Sequence, residues 1–354
     1  MNRRYFLQAL GLSVAAAGMS KTALSRKATA RPQVAITLDD PDLDATPLLT
    51  PDERNRRTLD ALRKHSDLKA ALFVSGRKID SPAGAKLLGS WNDAGHIIGN
   101  HSYSHSYYPS PKISFEQYSQ DIIRVENILK DYPNFKKLMR FPYLKEGDTL
   151  EKRDKMRAFL KERGYKMGYV TIDTSEWYID ERLNKRLESD SRADLAPYRK
   201  FFLDHIWERS LYYDDLAKKA VGRPIKHTLL IHHSLVVSLF LDDLLKMFKR
   251  KGWQLIDAQE AYTDPVFSRL PNVLPAGESI VWSLAKETGN YDKVLRYPAE
   301  DGEYEKAKMD RLGCDNFSVR QSANARQPRE HFRRAFSPFR VKGVSYALAF
   351  QTER

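Results

Sequence analysis

Two adjacent carboxylates, Asp39 and Asp40, close the short apolar run Val34-Ala-Ile-Thr-Leu38, and two histidines four residues apart, His101 and His105, follow Gly99-Asn100. Carboxylate and imidazole in this combination are the donors that hold a divalent cation while leaving positions open for water and substrate. A second carboxylate beside such a site is a candidate base. Each signal has an ordinary explanation, since Asp-Asp after a strand is commonly a turn or a helix cap, and His-x-x-x-His is commonly a solvated pair. Taken together they favour a metal site of His101, His105 and a strand-tip aspartate, because imidazoles four residues apart on one helical turn face the same way.

The elements around these residues must bring them to one place. The run 34–40 reads as a buried strand whose C-terminal end opens into the Pro41 loop. Further buried strands are expected at 69–75, at 96–99 just before His101, at 138–143, at 166–172 leading into Asp173, at 228–234 and at 253–256. Helices are expected at 51–65, 85–94, 115–129, 154–163 and 239–250. The alternation predicts an α/β fold with a mainly parallel sheet, and it puts the Asp pair and the His pair at the same end of that sheet. Residues 178–226 carry an amphipathic portion with Phe201, Phe202, His205, Ile206 and Leu216, which predicts core packing under a lid or an outer helix pair.

Five ordered segments resemble the signatures of the polysaccharide deacetylases of carbohydrate esterase family 4: Thr37-Leu-Asp-Asp40, His101-Ser-Tyr-Ser-His105, Arg140-Phe-Pro-Tyr143, Asp173-Thr-Ser-Glu-Trp177 and Leu230-Ile-His232. The resemblance runs from about Pro32 to about Asp264. It implies a distorted (β/α) barrel of seven or eight strands and a metal-dependent hydrolase that removes acetyl groups from N-acetylated sugars of a polysaccharide or oligosaccharide. The implied cofactor is a divalent metal on Asp40, His101 and His105, usually zinc, although cobalt, nickel or manganese suit the same donors. Asp39 is then the base that takes a proton from the attacking water, and Arg140 holds it ionised and oriented; a purely structural salt bridge is the other reading of Arg140. The Tyr143 backbone N–H would help stabilise the oxyanion, and His232 would protonate the leaving nitrogen, where a core histidine is the plainer alternative. Trp177 and Leu230 would frame a slot for the acetyl methyl group, with plain core packing as the alternative for Trp177.

Three positions depart from the family pattern. Pro41 stands where Gly is usual after the aspartates. Glu176 stands where Asp usually precedes Trp, which leaves Glu176 and Asp173 both as candidates to support His232 or Arg140. His233 stands where Asp is frequent, and no role is assigned to it.

The length of 354 residues allows one large α/β domain or two smaller ones. The expected division is a signal segment over 1–30, a catalytic domain over 31–265, an extension packed on it over 266–314, and a basic, disordered tail over 315–354. The net charge of +13 is concentrated at the ends, with +5 in residues 1–30, +5 in residues 315–354 and +3 between them. A body so near neutrality argues against nucleic acid as a partner, for which a basic stripe is needed. Asn2-Arg-Arg-Tyr-Phe-Leu7, a modestly apolar stretch over 9–19 and Ala28-Thr-Ala30 form a twin-arginine-type signal, which predicts export to the periplasm or beyond. The stretch is shorter than the ~20 residues a membrane span needs, so no stable span is expected in the mature protein. Cys314, the single cysteine, excludes an intramolecular disulfide. The expected partner is an acetylated glycan, and oligomeric state has no signature here. Competing activities are an esterase removing O-acetyl groups from xylan or another envelope glycan, and a non-catalytic glycan-binding protein on the same fold.

Overall fold

The computed structural model describes residues 31–295 and 302–314. The signal segment and the basic tail lie outside the described residues. In chain order the elements are β1 (Gln33–Asp39), α1 (Pro51–Lys64), β2 (Ala71–Val74), α2 (Gly76–Ile79), α3 (Pro82–Asp93), β3 (Ile97–Asn100), α4 (Phe115–Leu129), β4 (Phe135–Met139), β5 (Lys145–Gly147), α5 (Leu150–Glu162) and β6 (Lys166–Met167). They continue with α6 (Glu176–Ser189), α7 (Ala196–Val221), β7 (Lys226–His232), α8 (Leu235–Arg250), β8 (Gln254–Leu255), α9 (Ala258–Ala261), β9 (Ala276–Gly277), α10 (Ile280–Thr288) and α11 (Glu303–Arg311).

The fold is α/β, built on a seven-stranded sheet in the order β6-β4-β3-β2-β1-β7, with β8 beside the first residues of β1. Every pairing in it is parallel. The segment after β6 reaches the opposite edge of the sheet: Gly168 N–H donates to the Met139 carbonyl of β4, while Leu230 N–H of β7 donates to the Ile172 carbonyl at 3.0 Å. One stretch of chain thus pairs with β4 at one side of the sheet and with β7 at the other edge and curls the sheet round, in keeping with the distorted barrel that the resemblance implies. The expected strand over 166–172 survives as strand only at its start and as a single bridge from Ile172 to Leu229 at its end. Gly168 and the bend after it carry the chain from one edge to the other.

Alternation along β1 separates two cores. Val34, Ile36 and Leu38 join the large cluster beneath the helices, whereas Ala35 faces a small cluster with Ala71, Phe73, Ile97, Leu138 and Ile256 inside the curl. Asp39 has the parity of Ala35, so it tops the inner cluster. Phe73 fills that space because a Cβ at Gly99 would sit 2.7 Å, and one at Gly168 2.4 Å, from its ring.

Local signals set the helix starts. Thr50 and Glu53 form a reciprocal capping box ahead of Pro51, and Ser114 with Gln117 does the same for α4. The interval 178–226 forms an outer helix pair, α6 and α7, packed on α8. Sequence reading saw only loops beyond Asp264. There β9 pairs with β5, and α10 buries Ile280, Val281, Leu284 and Ala285 against the body, so the extension is packed through apolar spacing too short to stand out between prolines. Among the described residues no helix is long and apolar enough to cross a membrane.

Candidate active site

Because the strands of the seven-stranded sheet run parallel, their C-terminal ends meet at one rim, and every site residue expected from the sequence stands there. Asp40 and His105 contact each other through Oδ2 and Nε2 at 3.0 Å, and the donor atoms of Asp40, His101 and His105 lie within 4.8 Å of one another. The His101 Nδ1–H donates to the Arg140 carbonyl at 2.8 Å, which turns Nε2 toward the cleft as a lone-pair donor. Burial pushes the His101 imidazole down to about 4 despite the charges of Asp39 and Asp40, so it is neutral at physiological pH, as a metal ligand must be. Burial opposes ionisation of Asp40, but His105, His101 and Lys78 outweigh it and hold the carboxyl well below the usual carboxylate range. Ser75 Oγ donates to the other Asp40 oxygen. A neutral imidazole with its far nitrogen anchored, a second imidazole and an ionised, hydrogen-bonded carboxylate fit a divalent cation.

Asp39 stands beside this triad, its Oδ2 3.7 Å from His101 Nε2. Its Oδ1 accepts from Arg140 Nη1 at 2.5 Å, and both side chains are almost wholly buried. The guanidinium is fixed on every side: Nε donates to the Gly168 carbonyl at 2.8 Å, Nη2 to the Tyr262 hydroxyl at 3.0 Å, and the plane lies 3.8 Å over the Phe73 ring. Arg140 therefore joins the inner core to the rim, and the two readings of this residue coincide in one geometry.

His232 ends β7 directly opposite Asp39 in the register of the sheet. Glu176 Oε1 accepts both the His232 backbone N–H at 2.6 Å and its Nδ1–H at 2.9 Å. Glu176, not Asp173, is thus the carboxylate behind His232, while the partner of Arg140 is Asp39. The extra methylene of Glu is accommodated because Glu176 reaches from the first turn of α6. Burial would lower the His232 pKa, but the Glu176 charge and hydrogen bond, with Asp39 and Asp40 farther off, raise it to about 9.

The cleft between these groups encloses about 220 Å³ and is lined by Asp39, His101, His105, Tyr143, Trp177, Leu230 and His232 among others. The Tyr143 ring packs edge-on against His105, with centroids 4.9 Å apart. Asp40, Ser102, His105, Tyr143 and Leu144 all have positive φ of 53–59°, a conformation costly for side chains larger than Gly. This concentration of strained backbone at one rim marks a site whose surroundings hold it in place. His233 turns away from the cleft chemistry. Burial pushes it down to about 3, and its Nε2 lies 3.3 Å from Asn55, so it packs as a neutral core imidazole.

Sequence reading missed Ser75, Lys78 and Tyr262. Ser75 follows β2 at the same rim, a position the strand-tip argument could have reached. Tyr262 lies past α9, 122 residues from Arg140, and carries no local signal.

Residues 26–168 match the polysaccharide deacetylase family. Over 148 residues the chain is 32% identical to a peptidoglycan-N-acetylglucosamine deacetylase of Bacillus cereus, taking in 41% of this chain and 46% of that protein. The chain thus spans about half the length of this curated relative. Among solved structures, it is similar to a chitin deacetylase of the fungal pathogen Colletotrichum lindemuthianum, at 20% identity and a TM-score of 0.44, covering 66% of this chain and 88% of the other. It is also similar to a CE4 family pseudoenzyme of Bacillus anthracis, at 18% identity and a TM-score of 0.44, covering 66% of each chain.

Proposed function

We propose that this chain is a metal-dependent hydrolase removing acetyl groups from N-acetylated sugars of a glycan, a reading supported by the match of residues 26–168 to the polysaccharide deacetylase family. The observation that carries the reading is the single rim on which Asp40, His101 and His105 converge, with Asp39 on Arg140 beside them and His232 on Glu176 across the cleft. Every member of the set is present on this rim.

Asp40, His101 and His105 would hold the cation, and zinc suits three such donors with open positions. Bound there, it lowers the pKa of water and polarises the acetyl carbonyl. Asp39 accepts the proton of the attacking water, with its orientation set by Arg140. The turn at Tyr143 directs a backbone N–H toward the developing oxyanion. His232 gives its Nε2 proton to the departing amine, and the Glu176 charge stabilises the imidazolium until that transfer. Trp177 and Leu230 border the space for the acetyl methyl group. Peptidoglycan is the first substrate to try, given the Bacillus cereus relative, and the N-terminal twin-arginine signature supports a site of action outside the cytoplasmic membrane.

The test is acetate release across a panel of acetylated glycans, chitooligosaccharides, peptidoglycan and acetylated xylan, with chelator and after metal restoration. Metal-restored release from N-acetylated substrates, abolished by Asp39→Asn, is the expected result. Release from xylan alone would make the enzyme an O-acetyl esterase. Binding without release from any of them would make it a glycan-binding protein. Cell fractionation of a strain with Arg3→Lys and Arg4→Lys, expected to retain the protein inside, tests export.

A further inference from the structure

The extension beyond Asp264 sends the charged side chain of Glu305 into the body, where it meets the site from behind. Glu305 of α11 and His205 of α7 are both fully enclosed, exposed by 1% and 3%. Glu305 Oε1 accepts from Arg209 Nη2 at 2.9 Å, and its Oε2 lies 3.5 Å from His205 Nδ1. On the other side of the ring, His205 Nε2 accepts the Ser175 backbone N–H at 3.1 Å. An amide N–H can only donate, so Nε2 carries the lone pair and the ring proton sits on Nδ1, facing Glu305. The Phe201 ring stacks on the imidazole at 5.8 Å and 12°, which fixes its plane.

Ser175 is the N-cap of α6, and its own side chain makes no capping hydrogen bond. The next residue is Glu176, the carboxylate that holds His232. A single peptide unit therefore separates the buried imidazole of α7 from the support of the proposed proton donor. The segments that resemble the deacetylase signatures end near Asp264, so Glu305 belongs to a part of the chain that those signatures do not contain.

We propose that His205 and Glu305 are positioning residues for the proton-donor pair: through the Ser175 amide they set the start of α6, and with it the angle at which Glu176 meets His232. The inference rests on the reading of His232 as the acid. Its physical content is that Ser175 N–H, buried at the helix start, has His205 as its acceptor; without that acceptor the first turn relaxes to satisfy the amide elsewhere, and Glu176 moves with it. Small displacements of a proton donor reduce the rate of the step it serves without changing how the substrate binds.

The experiment uses the full-length chain loaded with metal and compares His205→Leu, His205→Gln, Glu305→Leu and Asp310→Asn. Asp310 lies on the same helix α11 and ties it to Arg182 at 2.6 Å without reaching Ser175, so its variant reports the cost of loosening α11 alone. His205→Leu and Glu305→Leu are expected to lower kcat by about tenfold at unchanged KM. His205→Gln, which keeps an acceptor near the Nε2 position, restores most of the rate, and Asp310→Asn lowers Tm with kcat kept. Wild-type kcat in both leucine variants, or an equal loss in Asp310→Asn, would overturn the proposal. Nitrogen-edited NMR of the imidazoles separates this from the functional reading. If the wild type releases no acetate, a His232 Nδ1–H signal lost in His205→Leu still supports the positioning role, and an unchanged signal refutes it.

Discussion

Asp39 and His232 are register partners on neighbouring parallel strands, β1 and β7, so the proposed base and the proposed acid project side by side from the same rim. Each is backed by one residue of opposite charge, Arg140 at 2.5 Å for Asp39 and Glu176 at 2.9 Å for His232. The pairs carry opposite polarity, which suits one group to accept a proton and the other to deliver one.

Protonation of His232 gives the first prediction. Burial alone would keep the imidazole neutral, and the Glu176 carboxylate reverses this, raising the pKa to about 9. A raised value means that the donor form is present below it and lost as pH climbs through it. A cation beside Asp39 and Asp40 cancels part of the negative charge and brings the value down from there. The basic limb of kcat is therefore expected above neutrality, and Glu176→Gln moves it down by about one unit or more. A basic limb that stays in place in Glu176→Gln would sever His232 from the pH profile.

Asp39→Asn keeps the size of the side chain and leaves Asp40, His101 and His105 intact. Metal content measured by emission spectroscopy is expected to be unchanged, while kcat falls by about a hundredfold or more, the scale of a lost base. Loss of metal in this variant would instead make Asp39 a ligand.

Arg140 supports the barrel as well as the site. Arg140→Leu leaves the Asp39 carboxylate buried without its partner, at a cost of about 3–5 kcal/mol in denaturant unfolding. Arg140→Lys keeps the charge but cannot reach Asp39, Gly168 and Tyr262 together, so it is expected to lose most activity and part of the stability. Full activity in Arg140→Lys would show that charge alone suffices.

Ser75 is expected to matter through the metal ligand it touches. Ser75→Ala removes the donor to Asp40 and should weaken metal binding by about tenfold in calorimetry, with little change in the unfolding midpoint of the metal-free protein.

Phe73 depends on the absence of side chains at Gly99 and Gly168. Gly168→Ala places a methyl group 2.4 Å from its ring and displaces the platform beneath Arg140, at about 1–3 kcal/mol. Activity falling in step with stability in this variant would trace the rim geometry to the inner core.

The α/β alternation, the strand tips and the triad of Asp40, His101 and His105 were legible in the sequence, because periodicity and donor type are local properties. The pairing of Arg140 with Asp39 was an expectation of the family resemblance, with Asp173 and Glu176 left open beside it. Tertiary structure alone decided the rest. Glu176 rather than Asp173 meets His232 because α6 begins where it does, and Tyr262 joins Arg140 across 122 residues of intervening chain. The closing of the sheet turns on one segment, 166–172, which touches both of its edges at once. Such contacts depend on how far apart two surfaces come to rest, which no stretch of chain specifies by itself: spacing along the sequence sets which way a side chain points, and packing sets what it finds there.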